Sequence, residues 1–145
     1  MNRVTLDASV VVKWIFPERD QEEYVANALR LLRDIQEGNC EVLQPLHWLA
    51  ETCAVATRLH PPTAKRATEL LWAMEIPVLD TLKVFALAVD LADELAHHLF
   101  DTLYHAVALC QPETRLITAD ERYFLKARHK GSIHLLKDYG TESLR

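Results

Sequence analysis

Short, uniformly apolar runs, each followed by a segment of helical period, constrain this chain more than any other feature. Val4-Thr5-Leu6, Val42-Leu43, Pro77-Val78-Leu79, Leu116-Ile117 and Ile133-His134-Leu135-Leu136 are the runs. They are too short for helices and do not alternate in polarity, which marks strands covered on both faces. Helices are predicted between them: over 10–15 with Ser9 as the cap, over 21–37, 45–58 and 63–74, from Asp80 or Thr81 to 97, from Asp101 to 110, and from Asp120 to 129. The 21–37 segment is the clearest, with Val25, Ala28, Leu29, Leu32 and Ile35 at i, i+3, i+4 spacing and Gly38 ending it. Such alternation predicts an α/β chain, a three-layer αβα arrangement round a central parallel sheet of four to five strands. In sheets of this kind ligands sit beyond the carboxyl ends of the strands, near a reversal of strand order. Functional side chains should therefore lie at strand ends and helix starts.

The 145 residues suit one domain spanning 1–145, with no repeat or linker. Half the chain is hydrophobic and 26% charged, which excludes a disordered polymer. No apolar run reaches the roughly 20 residues of a membrane span. The longest, over 84–96, is interrupted by Asp90, Asp93 and Glu94. No signal-peptide core is present, so a cytoplasmic protein that does not enter membranes is expected. Cys40, Cys53 and Cys110 form no CxxC pair and are expected as reduced, mostly buried thiols. The net charge of −5 argues against a nucleic-acid binder if the acids are spread evenly. Their placement therefore decides the matter.

Four acids pass the strand-end test. Asp7 follows the first strand, Asp120 and Asp101 open helices, and Glu51 lies about one and a half turns into the helix after the second strand. Each has a plainer reading: an acid at a helix start is often only a cap or a dipole partner. Glu51 resists that reading. Its neighbours Trp48, Leu49, Ala50, Cys53, Ala54 and Val55 leave it in an apolar helix with no Lys or Arg within one turn, so it needs a partner. Gathered carboxylates repel one another and persist when a cation compensates them. An all-oxygen donor set suits Mg²⁺ or Mn²⁺ rather than zinc. Such ions activate water against a phosphodiester.

The segments that carry these acids resemble those of PIN-domain proteins, above all VapC-type ribonuclease toxins of toxin–antitoxin systems. Val4-Thr5-Leu6-Asp7-Ala8-Ser9-Val10-Val11-Val12-Lys13-Trp14 is similar to the family's first strand and first acid. Pro45-Leu46-His47-Trp48-Leu49-Ala50-Glu51, Phe100-Asp101-Thr102-Leu103-Tyr104 and Leu116-Ile117-Thr118-Ala119-Asp120 resemble the segments with the other three. The resemblance covers about residues 3 to 137. It implies a sheet of order 3-2-1-4-5 and a Mg²⁺- or Mn²⁺-dependent endoribonuclease. It also implies a cognate antitoxin and a homodimer. Asp7 and Asp101 would be the main metal ligands, Glu51 and Asp120 would complete the shell, and Ser9 and Thr118 would support the site. Lys13, Arg19, Arg122 and Lys126 lie near these segments, as solvated charges or as contacts to RNA phosphates.

Other readings were weighed. A housekeeping RNA-processing nuclease shares every motif. A non-catalytic PIN module that binds only protein is disfavoured by the complete set of acids. A phospho-acceptor receiver would need paired acids after the first strand, and here the first strand carries one acid only. His97 and His98 are adjacent and cannot chelate one ion together. His105, four residues after Asp101, is expected chiefly as a core histidine. Trp14, Trp48 and Trp72 are expected in packing rather than base stacking. The amphipathic 63–74 helix packs on the domain or faces a sister subunit or an antitoxin.

Overall fold

The computed structural model describes residues 2–19 and 23–140. Strand β1 (Asn2–Leu6) passes from an exposed first residue to three buried ones, Val4, Thr5 and Leu6. Asp7 ends the strand and caps helix α1 (Ala8–Ile15). Helix α2 (Val25–Gln36) buries Ala28 and Leu31 and leads, past Gly38 at φ +80°, into β2 (Cys40–Val42). Helices α3 (Trp48–Leu59), α4 (Pro61–Ala73), α5 (Leu82–Leu95) and α6 (Leu99–Cys110) follow. Strand β3 (Thr114–Thr118), helix α7 (Glu121–Ala127) and strand β4 (Ile133–Leu135) complete the alternation.

The sheet is parallel throughout, in the order β2-β1-β3-β4. Strand order therefore reverses between β1 and β3, whose register runs from Arg3↔Thr114 to Leu6↔Ile117. The carboxyl ends of these two neighbours deliver Asp7 and, two residues past Thr118, Asp120 to one edge. The main core lies where α1, α2 and α6 cover the sheet, around Leu6, Val10, Leu31, Tyr104, Leu116 and Leu136. A second cluster between α5 and α6 gathers Val84, Ala88, Leu91, Leu103 and Val107.

Several boundaries differ from expectation, each for a local reason. The run at Pro77-Val78-Leu79 forms one parallel bridge, Gln44↔Val78, rather than a strand. The Gln44 amide N–H donates to Pro77 O and the Leu79 N–H to Gln44 O, but Pro77 has no N–H to extend the ladder. With that bridge counted as the third position, the 3-2-1-4-5 order is retained. Helix α1 begins one residue before Ser9, and its cap is Asp7 rather than Ser9. Helix α3 starts at Trp48, not Pro45, and α4 includes Pro61 and Pro62 in its first turn, where a missing N–H costs nothing. Helix α6 starts at Leu99, so Asp101 sits inside its first turn. Of the 21–37 helix, residues 21 and 22 lie outside the described residues, and Tyr24 at φ +61° precedes the first turn.

Candidate metal centre

At the end of β1, Asp7 is held by three donors. Its Oδ1 accepts from the Ser9 N–H at 3.0 Å and from the Ser9 hydroxyl, and its Oδ2 accepts from the Thr118 hydroxyl. The same hydroxyls reach onward. Ser9 Oγ accepts from the Ala119 N–H at 3.1 Å and Thr118 Oγ1 from the Asp120 N–H at 3.0 Å. Two small hydroxyls thus lace the β1–α1 junction to the β3–α7 junction. Burial pushes the Asp7 carboxyl up to about 6; the hydroxyl bonds oppose this, and the charges of Asp101 and Asp120 add to it.

Asp120 caps α7 through Oδ1, which accepts from the Tyr123 N–H at 3.0 Å. The capping reading and the site reading therefore hold together for this residue. Asp101 Oδ2 lies 2.8 Å from His97 Nε2. Glu51 has the partner its apolar helix demanded: the Tyr104 hydroxyl donates to its Oε1 at 2.7 Å. Tyr104 is fully buried, and desolvation, reinforced by the charges of Glu51, Asp7 and Asp101, drives its hydroxyl far above the ordinary phenol range. Asp7, Asp101 and Asp120 feel one another's charge at one edge of the sheet, and Glu51 is reached through Tyr104. The tightest group is His97, Asp101 and Asp120, whose ligand atoms all lie within 4.8 Å of one another. Asp7 and Glu51 stand outside it, tied in by charge and through Tyr104.

These donors fit a hard divalent cation. A carboxyl made reluctant to ionise by burial and by two neighbouring acids gains most when a cation arrives, and oxygen predominates in the set. His97 was not singled out as a site residue from sequence. Its four-residue spacing to Asp101 is visible, but His97 lies in the turn between α5 and α6, outside both helices, so helical periodicity gives no signal. The His97 and His98 rings meet edge-on, their centroids 6.0 Å apart. His105 belongs to the core: its ring nitrogens meet the Tyr123 hydroxyl and Gly131 O, each at 2.8 Å, and burial pushes its pKa down. Trp48 is buried and Trp14 donates from Nε1 to Ala28 O at 2.8 Å, whereas Trp72 is 74% exposed. Cys40 is buried, while Cys53 and Cys110 are only partly so.

Comparison with known proteins agrees with this arrangement. One solved structure, described as a toxin-antitoxin complex from Klebsiella pneumoniae, superposes with a TM-score of 0.62 at 16% identity, over 94% of this chain and 98% of the other. That likeness concerns the fold. A search of curated protein sequences found no match. The PIN domain model matches residues 4–130, a span that includes all four acids and both hydroxyls, and the chain belongs to the PIN-domain family.

Proposed function

We propose that this protein is a Mg²⁺- or Mn²⁺-dependent endoribonuclease, the toxin of a toxin–antitoxin pair held inactive by a cognate antitoxin. The observation that carries the reading is the charge coupling of Asp7 with Asp101 and Asp120 where strand order switches, laced by Ser9 and Thr118, with Glu51 held by Tyr104. PIN domains are generally nucleases that bind divalent metals. The similar fold of a chain from a toxin-antitoxin complex favours the toxin over a housekeeping enzyme.

Asp7 and Asp101 would hold the cation, with Asp120 and Glu51 completing the shell. When bound, the cation would neutralise the acids and activate a water for in-line attack on the RNA phosphodiester. Ser9 and Thr118 orient the Asp7 carboxylate and free neither oxygen to swing. Tyr104 fixes Glu51 in the same way, and a carboxylate of the group accepts the proton that the water loses. For the antitoxin, an apolar groove lined by Trp14, Ile15, Leu32, Leu70, Leu71 and Met74 offers a surface between α1, α2 and α4. A homodimer is part of the same proposal. Among the described residues no helix is long and apolar enough to cross a membrane.

The test is cleavage of RNA with Mg²⁺ or Mn²⁺, with and without EDTA, by the wild type, Asp7→Asn and Asp101→Asn. Cleavage that ignores EDTA or survives both substitutions overturns the mechanism. Growth arrest on expression of the wild type, but not of Asp7→Asn, distinguishes a toxin from an RNA-processing enzyme.

A further inference from the structure

Next to the acids lies a cavity of opposite character, lined by Ala92, Ala96, His97, His98, Arg122 and Lys126. No acidic side chain lines it. His97 belongs to both places: Nε2 is 2.8 Å from Asp101 Oδ2, and Nδ1 is 3.3 Å from Lys126 Nζ. An ammonium only donates, so Nδ1 accepts and Nε2 carries the hydrogen that Asp101 receives. Lys126 also donates to Ala96 O at 3.2 Å. That carbonyl belongs to the left-handed residue that closes α5. Two of the three ammonium donors are thereby spent within the protein and one remains. Arg122 is exposed and has no ion-pair partner among the described residues, which leaves its guanidinium fork unspent. Two alanines in the wall keep the space open.

A fixed ammonium, a free guanidinium and an exposed imidazole round one cavity make a clamp for a phosphate group. We propose that this cavity takes a backbone phosphate of the RNA strand, next to the phosphodiester held at the acids. The inference rests on the nuclease reading above and adds the route of the strand: it leaves the acids past α5 and the start of α7. Lys126, through His97, ties the phosphate clamp to the Asp101 carboxylate.

The experiment is fluorescence anisotropy with a short fluorescein-labelled single-stranded RNA of mixed sequence, its integrity checked on a gel. The Arg122→Gln/Lys126→Gln variant should bind about tenfold more weakly than wild type at about 50 mM salt, the gap narrowing to about threefold at about 200 mM as the salt slope falls by about 1. Arg122→Gln alone, which breaks no bond within the described fold, should weaken binding about threefold. Lys65→Gln/Lys83→Gln loses the same charge away from the cavity and should bind like wild type. Equal binding by wild type and the Arg122/Lys126 variant, an equal loss in the Lys65/Lys83 control, or no binding by wild type overturns the proposal. An acidic protein segment as the true occupant would give the first of these outcomes. The nuclease reading fails separately: RNA binding that depends on Arg122 and Lys126, without metal-stimulated cleavage, leaves the clamp standing and removes the enzyme.

Discussion

Asp7 stands at the meeting point of two opposed demands: three donors hold its carboxylate, while burial and two neighbouring acids resist its charge. Its pKa rises from 3.8 to about 6, so between those values the folded protein binds more protons than the unfolded chain. Stability contributed here is full at low pH and is lost as pH rises through about 6. Metal-free protein should show that loss in thermal unfolding from about pH 4 to 7, and Asp7→Asn should flatten it by about 2 kcal/mol. His105 slopes the other way. Its pKa is lowered from 6.5, so its contribution is present above that value and lost as pH falls. His105→Leu strips the Tyr123 hydroxyl and Gly131 O of a buried partner and should cost about 2–3 kcal/mol in chemical denaturation. Cleavage per folded molecule should be unchanged; a change would place His105 in the chemistry.

At the scale of the element, Gln44 is the instructive residue. Its side-chain amide accepts from the Leu6 N–H and donates to Leu6 O, each at 2.8 Å, so a side chain takes the place of one more peptide beside β1. It is fully buried. Gln44→Leu leaves both Leu6 groups without partners and should destabilise by about 2–4 kcal/mol in denaturant titration, with metal affinity falling as Asp7 loosens. Sequence alone could not show this clamp, because a glutamine after a strand has no periodic signature. The apolar runs were legible because burial on both faces leaves a compositional mark, and the positions of Asp7 and Asp120 because each follows closely on a strand and caps the next helix. The shrunken third strand escaped notice because Val78, though apolar, is 41% exposed and pairs at one position only. A hydroxyl before a helix reads equally as a cap or as a site residue, and at Ser9 the aspartate two residues earlier does the capping. His97 carries no periodic signal because it sits in the short turn between α5 and α6, ahead of the helix that holds Asp101.

Across the whole molecule, the charge of −5 no longer stands against RNA. Setting aside the four candidate acids leaves a nearly neutral body, and a bound divalent cation would offset about half of their charge. Adding Mg²⁺ or Mn²⁺ at about a hundred times its dissociation constant should stabilise the wild type by about 3 kcal/mol, a rise of several degrees in melting temperature. Asp7→Asn and Asp101→Asn should show little of it, as read by scanning calorimetry. The lacing of the two junctions by Ser9 and Thr118 has a further consequence. Those hydroxyls and the Gln44 amide join the strand ends through bonds within the protein itself. On the proposed reading the chain would fold first and take up a cation afterwards, so the supply of metal would govern how much of it cleaves RNA rather than how much is folded.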